Sequence, residues 1–173
     1  FFLFYDGWNK DQKKAYYLVR KVNFDGEIEK DEKELESLTA EKQLNSGNFF
    51  PVLSPDKSKL FILTNMPFVK DEKEKIRLSV FDAQSLNKLW TKDITLNNES
   101  KRGVNNDGLV DNNGNVYMLK KITGEKQKVD YTLFVCNAST QKWIENPLNM
   151  EGKMIVSSNF FINNKGDIII TGF

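Results

Sequence analysis

The sequence contains a motif that returns three times, a polar turn built on Asp, Asn or Gly that is followed by a strand of alternating apolar residues. The three copies are Ser54–Leu63, Val110–Leu119 and Ile162–Ile170. Their first strand residues, Leu60, Val116 and Ile168, are separated by 56 and 52 residues. A near-constant period of this length is typical of solenoids, propellers and other repeat arrays. The repeat therefore predicts an all-β chain made of similar consecutive units.

A second motif keeps nearly the same period. It occurs as Ile76–Trp90 and Tyr131–Trp143, with a weaker copy at Tyr17–Ile28. The shared residues Val80 and Val135 are 55 residues apart, and Trp90 and Trp143 are 53 residues apart. Because each copy reads as two short strands joined by a polar turn, each repeat is expected to contain two hairpins.

Period-two alternation, β-branched and aromatic residues, and the turn residues between runs predict four antiparallel strands in each repeat. In the second repeat the predicted strands are Phe49–Leu53, Leu60–Asn65, Ile76–Asp82 and Leu89–Leu96. In the third repeat they are Gly108–Val110, Val116–Lys121, Tyr131–Asn137 and Lys142–Pro147. The segment Glu29–Leu44 is ambiguous, because Leu35, Leu38 and their charged neighbours fit a helical period. The register of the repeat instead predicts an outer strand near Glu34–Leu38 and a loop after it.

The repeats resemble blades of a β-propeller over nearly the whole chain. The run Phe81–Trp90 is similar to the third-to-fourth strand hairpin of quinoprotein-like repeats, where an Asp closes one strand and a Trp lies in the next. The run Asp111–Tyr117 resembles the inner hairpin of many extracytoplasmic bacterial propellers. A WD dipeptide is absent, and its Gly-His partner is impossible because the chain has no His. The resemblance implies the architecture and indicates no single family.

The predicted blades span about 1–48, 49–103 and 104–155, with a partial blade at 156–173. Because a closed ring takes roughly four to eight blades, we expect these residues to be an excerpt of a ring of about six to eight. Phe1–Asp6 reads like Phe61–Asn65, so the first repeat is expected to open inside a blade. The alternative is a chain that closes its ring by assembling with copies of itself.

Composition indicates a globular domain without a dominant charged surface. The 25 basic and 24 acidic residues nearly cancel, whereas a nucleic-acid-binding protein usually collects a basic excess on one face. No apolar run reaches the length of a membrane span, and Phe1–Tyr5 is too short and lacks the basic flank of a signal peptide. Nucleic acid and direct membrane insertion are therefore not expected. A periplasmic or cell-surface location is implied by the resemblance, with the cytoplasm left open.

Several residues resemble functional sites, but each is better explained by packing or turn formation. Asp111, Asn113 and Asn115 alternate as in calcium loops, yet no Glu follows at the bidentate position, so a hairpin turn is predicted. The Asp-Gly pairs of Asn105–Gly108 and Asn23–Gly26 also indicate turns. Trp90 and Trp143, which recur in matched motifs, predict packing between neighbouring blades rather than a platform for a sugar or base. The mixed-charge runs Lys70–Lys75 and Thr123–Lys128 are expected to be solvated loops.

Catalytic chemistry has little support in the sequence. Without His, the chain lacks the commonest general base and the commonest transition-metal ligand. The single cysteine, Cys136, allows no internal disulfide and is expected to be an ordinary strand residue. We therefore assign no catalytic, cofactor-binding or metal-ligating residue, and we expect no cofactor.

Two functions from different classes are consistent with these observations. The first is a non-catalytic propeller scaffold that binds other protein subunits. A bacterial envelope assembly or a secretion-related assembly is the kind of complex to which such a scaffold could belong. The second is a propeller enzyme or carbohydrate-binding module that uses carboxylates of a central channel. A fold of this kind does not choose between them, because propellers host many functions.

Overall fold

The computed structural model describes residues 1–101, 107–123, 129–149, 158–163 and 165–172, and these residues form an all-β chain. The strands are β1 (Phe2–Asn9), β2 (Lys14–Val22), β3 (Ile28–Thr39), β4 (Asn48–Leu53), β5 (Lys59–Asn65), β6 (Lys73–Asp82), β7 (Lys88–Glu99), β8 (Asp107–Val110), β9 (Val116–Thr123), β10 (Val129–Cys136), β11 (Trp143–Leu148), β12 (Ser158–Ile162) and β13 (Ile168–Gly172). One 3₁₀ turn, Gln43–Asn45, lies between β3 and β4.

The strands form four separate antiparallel sheets in chain order. Sheet 1 is β1-β2-β3, sheet 2 is β4-β5-β6-β7, sheet 3 is β8-β9-β10-β11 and sheet 4 is β12-β13. Every pairing is between strands that follow each other in sequence, so each sheet is a meander. Within the described ranges no strand pairs one sheet with another, and no closure into a ring is seen.

The predicted strands of the second and third repeats are confirmed to within about three residues at each end. They succeed because successive side chains of a strand point to opposite faces, so that β5 is buried on both faces and β7 alternates between buried and exposed residues. The strand predicted near Glu34–Leu38 is also confirmed, as part of the longer β3, and the helical alternative is wrong. The spacing of Leu35 and Leu38 looked helical because Leu35 lies in a β-bulge, where the pairing passes from Tyr17–Glu36 directly to Leu18–Glu34.

Three clusters of buried side chains join the sheets face to face. The largest lies between sheets 2 and 3 and includes Phe61, Leu63, Val80, Met118 and Phe134. A smaller cluster lies between sheets 1 and 2 and includes Tyr17, Val19, Ile62 and Phe81. A third, of Ala15, Leu38 and Ala40, continues the contact between sheets 1 and 2 with Phe49 packed against it. Both faces of sheet 2 are therefore covered.

Two types of turn recur at one end of the sheets. In the first type an Asx side chain accepts two backbone N–H groups, and a glycine with positive φ follows three residues later, as at Asp111 and Gly114 (φ 83°). The same arrangement occurs at Asn163 and at Asn23. The Asp-Gly turn predicted at Asn23–Gly26 is confirmed, but its form is that of the β8–β9 turn.

The second type of turn joins the third and fourth strands of sheets 2 and 3. Asp82 Oδ1 accepts hydrogen bonds from the backbone N–H groups of Gln84 and Ser85, and Asn137 Oδ1 accepts them from those of Ser139 and Thr140. The fifth residue of each turn, Leu86 or Gln141, has a positive φ of 57° or 52°. Because Asp82 and Asn137 are 55 residues apart, the repeat in sequence is also a repeat in turn chemistry. The segment Tyr17–Ile28 lacks this second type of turn, so it resembles the motif only in its strand residues.

Candidate functional site

The triplet Asp111, Asn113 and Asn115, which resembles a calcium loop, forms a hairpin turn in which both carboxylate oxygens of Asp111 accept hydrogen bonds. Asp111 Oδ1 accepts backbone N–H groups of Asn113 and Asn115 at 2.9 Å each, while Asp111 Oδ2 accepts the Asn115 side-chain amide at 2.8 Å. The hydroxyl of Tyr117 also donates to Asp111 Oδ2, at 3.1 Å. Burial, together with the nearby carboxylate, raises the pKa of Tyr117 to about 12. The turn prediction is confirmed, since these oxygens face the turn's own donors.

Other residues singled out from the sequence take structural roles where they are described. Cys136 is fully buried in β10, and burial raises the pKa of its thiol, which suits an inert strand residue. The prediction of a solvated loop over Lys70–Lys75 is wrong for its last three residues, because β6 begins at Lys73 and Glu74 is buried; Lys75 forms an exposed ion pair with Glu72 at 2.7 Å. Residues 124–128 of the second charged loop, and Asn105 and Asn106, lie outside the described residues. The Asp-Gly pair predicted as a turn at Asn105–Gly108 lies instead in β8, so for Asp107 and Gly108 the turn prediction is wrong. No cluster of three His, Cys, Asp or Glu side chains that could hold a metal ion occurs in the described ranges.

The two recurring tryptophans, Trp90 and Trp143, lie at the same interface, between sheets 2 and 3. Their matched sequence motifs would instead place them at two successive interfaces. Trp90 lies opposite Val80 and faces sheet 3, whereas Trp143 lies opposite Cys136 and faces sheet 2. The exchange of faces arises because Leu89 has no partner in the pairing of β6 with β7, so the strand is bulged there. Packing between neighbouring sheets is confirmed for both residues, but the assumption that they occupy equivalent positions is wrong.

A repeated lysine contact connects sheet 1 to sheet 2 and sheet 2 to sheet 3. Lys33 of β3 donates to the backbone carbonyl of Leu86 at 2.7 Å, and Lys92 of β7 donates to the backbone carbonyl of Gln141. Leu86 and Gln141 are the positive-φ residues of matched turns. Sequence reasoning missed these lysines because they are 59 residues apart, outside the period of the motifs, and charged side chains on an outer strand carry no periodic signal.

The interface between sheets 1 and 2 and the interface between sheets 2 and 3 each hold a buried carboxylate with basic partners. Glu36 of β3, with 2% of its side chain exposed, lies 2.6 Å from Lys88 and 3.5 Å from Arg77. Glu74 of β6 lies 2.6 Å from Lys120 of β9, with 8% and 7% of the two side chains exposed. Burial lowers the pKa of Lys120, and the carboxylate of Glu74 opposes that shift. These groups pair with each other and thereby hold sheets together.

Two cavities border the first strands of the sheets. The inner cavity, of about 390 Å³, is lined by β4 (Phe50, Pro51 and Val52), β8 (Asp107, Gly108 and Leu109) and β12 (Asn159 and Phe160). The edge cavity, of about 740 Å³, lies between the last part of β1, with Asp6, Gly7 and Trp8, and the start of β4, with Asn48, Phe49 and Phe50. Neither cavity brings several titratable groups together.

β1 lies at the edge of sheet 1 as described, beside two exposed aromatic residues. The described part of sheet 1 begins with β1, whose eight residues pair with β2 in an unbroken register. Its other side faces away from β2 and carries no paired strand in sheet 1 as described. Phe1 and Phe24 are 82% and 98% exposed and contact each other edge to face beside this strand. Exposed aromatic groups of this kind are suited to contact with another protein.

No family model matches the chain, and no curated protein or solved structure matches it significantly. Among the described residues, no helix is long and apolar enough to cross a membrane.

Proposed function

We propose that the chain is part of a non-catalytic β-propeller scaffold that binds other protein subunits. The observation that carries the architecture is the inner cavity, because β4, β8 and β12, the first strands of three successive sheets, all line it. Sheets arranged radially around a common axis would bring their first strands together in this way. The face-to-face packing of sheets 1, 2 and 3, with its repeated lysine contacts, supports the same arrangement.

The binding role is supported by what the polar groups of the described residues do. The buried carboxylates Glu36 and Glu74 are neutralised by lysine and arginine across sheet interfaces, and Asp111 is saturated by its own turn. Side chains committed in this way stabilise the stack and leave no convergent acid and base for catalysis. A rigid stack with exposed apolar groups at its margin, among them Phe24 and Leu44, fits a platform for protein partners.

For location we propose the periplasm or the cell surface of a bacterium, as part of an envelope or secretion-related assembly. The support for this part is the resemblance of Asp111–Tyr117 to the inner hairpin of many extracytoplasmic bacterial propellers.

The test is to isolate the protein from its natural source under native conditions and to determine the mass and composition of the particle. The proposal expects the chain in a fixed ratio with other polypeptides, and reconstitution of that complex from purified components. Isolation as a lone particle that turns over a substrate would reject the scaffold role. Electron microscopy of the same particle would show whether the sheets belong to a ring.

A further inference from the structure

The lysine contact establishes which strands of sheets 1 and 2 correspond. Lys33 of β3 lies opposite Val19 of β2, and Lys92 of β7 lies opposite Leu78 of β6. Because both lysines donate to matched turns of the following sheet, β2 corresponds to β6. Residues of β2 and β6 that are equally far from Val19 and Leu78 are therefore at equivalent positions.

The two interfaces differ at the equivalent position four residues earlier in each strand. In β2 that residue is Ala15, which is buried in an apolar cluster with Leu38 and Ala40. In β6 it is Glu74, which is also buried. An apolar cluster is the simpler way to close an interface, because it leaves no polar group that needs a partner. The interface between sheets 2 and 3 carries a carboxylate in the same place.

Polar residues continue from Glu74 across the end of sheet 2. Asn48, Asn65 and Glu74 lie on the neighbouring strands β4, β5 and β6, and Asn48 is opposite Asn65. Each lies two residues from an apolar side chain that packs in the interface with sheet 3, these side chains being Phe50, Leu63 and Ile76. Because side chains two residues apart in a strand share a face, all three polar residues lie on the face toward sheet 3.

A polar cavity of about 170 Å³ lies at this end of the interface. Its walls are the connection between β3 and β4, the end of β5 with the loop after it, the start of β6, and residues 100–101. β1, which borders the edge cavity, contributes nothing to this wall as described. Pockets for drug-sized molecules have roughly 300–1,000 Å³. The polar cavity therefore suits a smaller molecule.

Two features hold the walls of the polar cavity in place. Gly47 has a φ of 78°, and a Cβ atom at this position would clash with the carbonyl oxygen of Asn65. Asn45 pairs with the backbone of Phe68, since its Nδ2 donates to the carbonyl and its Oδ1 accepts the N–H, both at 2.9 Å. The connection between β3 and β4 is thereby fixed against β5 and the loop after it. A preformed site of this kind loses little conformational entropy on binding.

The charged groups that β6 contributes to the polar cavity are already neutralised. The carboxylate of Glu74 accepts hydrogen bonds from Lys120 at 2.6 Å and from Asn98 at 2.5 Å. Lys75 forms an ion pair with Glu72 at 2.7 Å. A charged ligand would have to compete with these partners, so the chemistry of the cavity favours a neutral one.

The groups that the polar cavity offers to a ligand are amides and hydroxyls. The side chains of Gln43, Ser46 and Asn48 form no hydrogen bond within the described ranges. Amide side chains donate and accept hydrogen bonds, and so do hydroxyl groups. Met66 and Phe68 add apolar surface to the same wall. This combination matches a molecule that carries several hydroxyl groups on a carbon skeleton.

We propose that the polar cavity binds a small neutral polyhydroxylated molecule, about the size of one monosaccharide. Asn48 exchanges hydrogen bonds with the hydroxyl groups of the ligand, and the carbon skeleton of the ligand packs against Met66 and Phe68. Glu74 and its partners keep this end of the interface polar, whereas Ala15 seals the equivalent point between sheets 1 and 2. The site goes beyond the scaffold role, because it needs neither a protein partner nor the inner cavity.

The direct test titrates the purified chain with glucose, galactose and N-acetylglucosamine in turn and follows its amide resonances by NMR. At least one sugar is expected to shift the backbone amides of Gly47 and Asn48 and the side-chain amide of Asn48. The amide of Gly108, which lines the inner cavity, is the internal control and should not move. Sodium phosphate, added in the same way, tests for an anion site at Lys75 and Lys101.

A pair of variants locates the binding. Asn48→Ala removes one amide from the polar cavity and should weaken sugar binding about two- to tenfold, which is the effect of one lost hydrogen bond. Asn159→Ala is the matched control, because Asn159 is also exposed on the first strand of its sheet but lines the inner cavity. The control should leave sugar binding unchanged, and both variants should keep the thermal stability of the unmodified chain.

Three results would overturn the proposal. One is the absence of any shift at Gly47 and Asn48 with all three sugars. Another is a shift of these amides by phosphate alone, because the cavity would then be an anion site. The third is equal weakening by Asn48→Ala and Asn159→Ala, which would place the binding elsewhere. The scaffold role stands in each case, since the composition of the native particle tests it separately.

Discussion

The two faces of sheet 2 are held by the same kinds of contact in different proportions. Toward sheet 1, Glu36 is buried, but its partners Arg77 and Lys88 keep 27% and 39% of their side chains exposed. Toward sheet 3, both Glu74 and Lys120 are buried, and Asn98 donates to the same carboxylate oxygen at 2.5 Å. The apolar cluster between sheets 2 and 3 is also the larger one. Where the basic partner is partly exposed, as at Glu36, water can compensate some of the charge. Where both members of the ion pair are buried, as with Glu74 and Lys120, each charge depends on the other member of the pair.

The largest difference between the two faces is expected when one basic partner is removed. Lys120→Met removes the ammonium group 2.6 Å from the buried carboxylate of Glu74 and should lower the free energy of unfolding by about 3–5 kcal/mol. Lys88→Met should cost much less, because Arg77 and water still reach Glu36. Urea denaturation of both variants measures the difference. The double variant Glu74→Leu with Lys120→Met should recover most of the loss, and equal losses for the two single variants would contradict the comparison.

Two neighbouring residues of β5 compare the apolar parts of the faces. Ile62 packs toward sheet 1 and Leu63 toward sheet 3, and both side chains are fully buried. Each change to Ala should destabilise the protein by about 2–5 kcal/mol. We expect the larger loss for Leu63→Ala, because the cluster around it is more extensive and collapses less easily. Differential scanning calorimetry would decide, and a larger loss for Ile62→Ala would reverse the ranking.

The matched turns give a pair of changes with opposite signs. Leu86 and Gln141 both have positive φ, which costs a residue with a side chain about 1–2 kcal/mol relative to Gly. Gln141→Gly should therefore leave stability unchanged or raise it by up to about 1 kcal/mol. Leu86→Gly should lower stability by about 2 kcal/mol, because Leu86 is buried in the cluster between sheets 1 and 2. Thermal unfolding of the two variants checks the signs, and destabilisation by both would show that backbone strain is minor here.

The smallest expected effect is a dependence of stability on pH. Hydrogen bonds from Arg77 hold the pKa of Asp93 below its ordinary value. Because a lowered pKa in the folded state favours folding while the group is ionised, this stabilisation is present above the ordinary Asp range, near pH 4, and is lost as the pH falls through the lowered value. In a measurement of the free energy of unfolding against pH, Asp93→Asn should make the decrease at acid pH less steep. If the decrease for Asp93→Asn is as steep as for the unmodified chain, other carboxylates dominate the acid dependence of stability.

Much of the secondary structure could be predicted, and particular residues show why. The alternation Leu60, Phe61, Ile62, Leu63 fits a strand buried on both faces, and the Asx and Gly residues around Gly114 fit a tight turn. Bulges were the main source of error. The bulge at Leu35 gave a false helical spacing, and the bulge at Leu89 turned Trp90 toward sheet 3 although its motif matched that of Trp143. A bulge changes the face of every later residue in the strand, and nothing in the local composition announces it.

The sequence by itself determined the all-β class, the sequence positions of nearly all the strands and the chemistry of their turns, because these depend on neighbouring residues and their alternation. Only the tertiary structure decided that Lys33 and Lys92 bridge successive sheets and that Glu74 pairs with Lys120. These contacts join residues that are 46 to 53 positions apart. The partner of each residue depends on how the sheets stack, and the stacking depends on the packing of all the side chains on the two facing sheets rather than on neighbouring residues in the sequence.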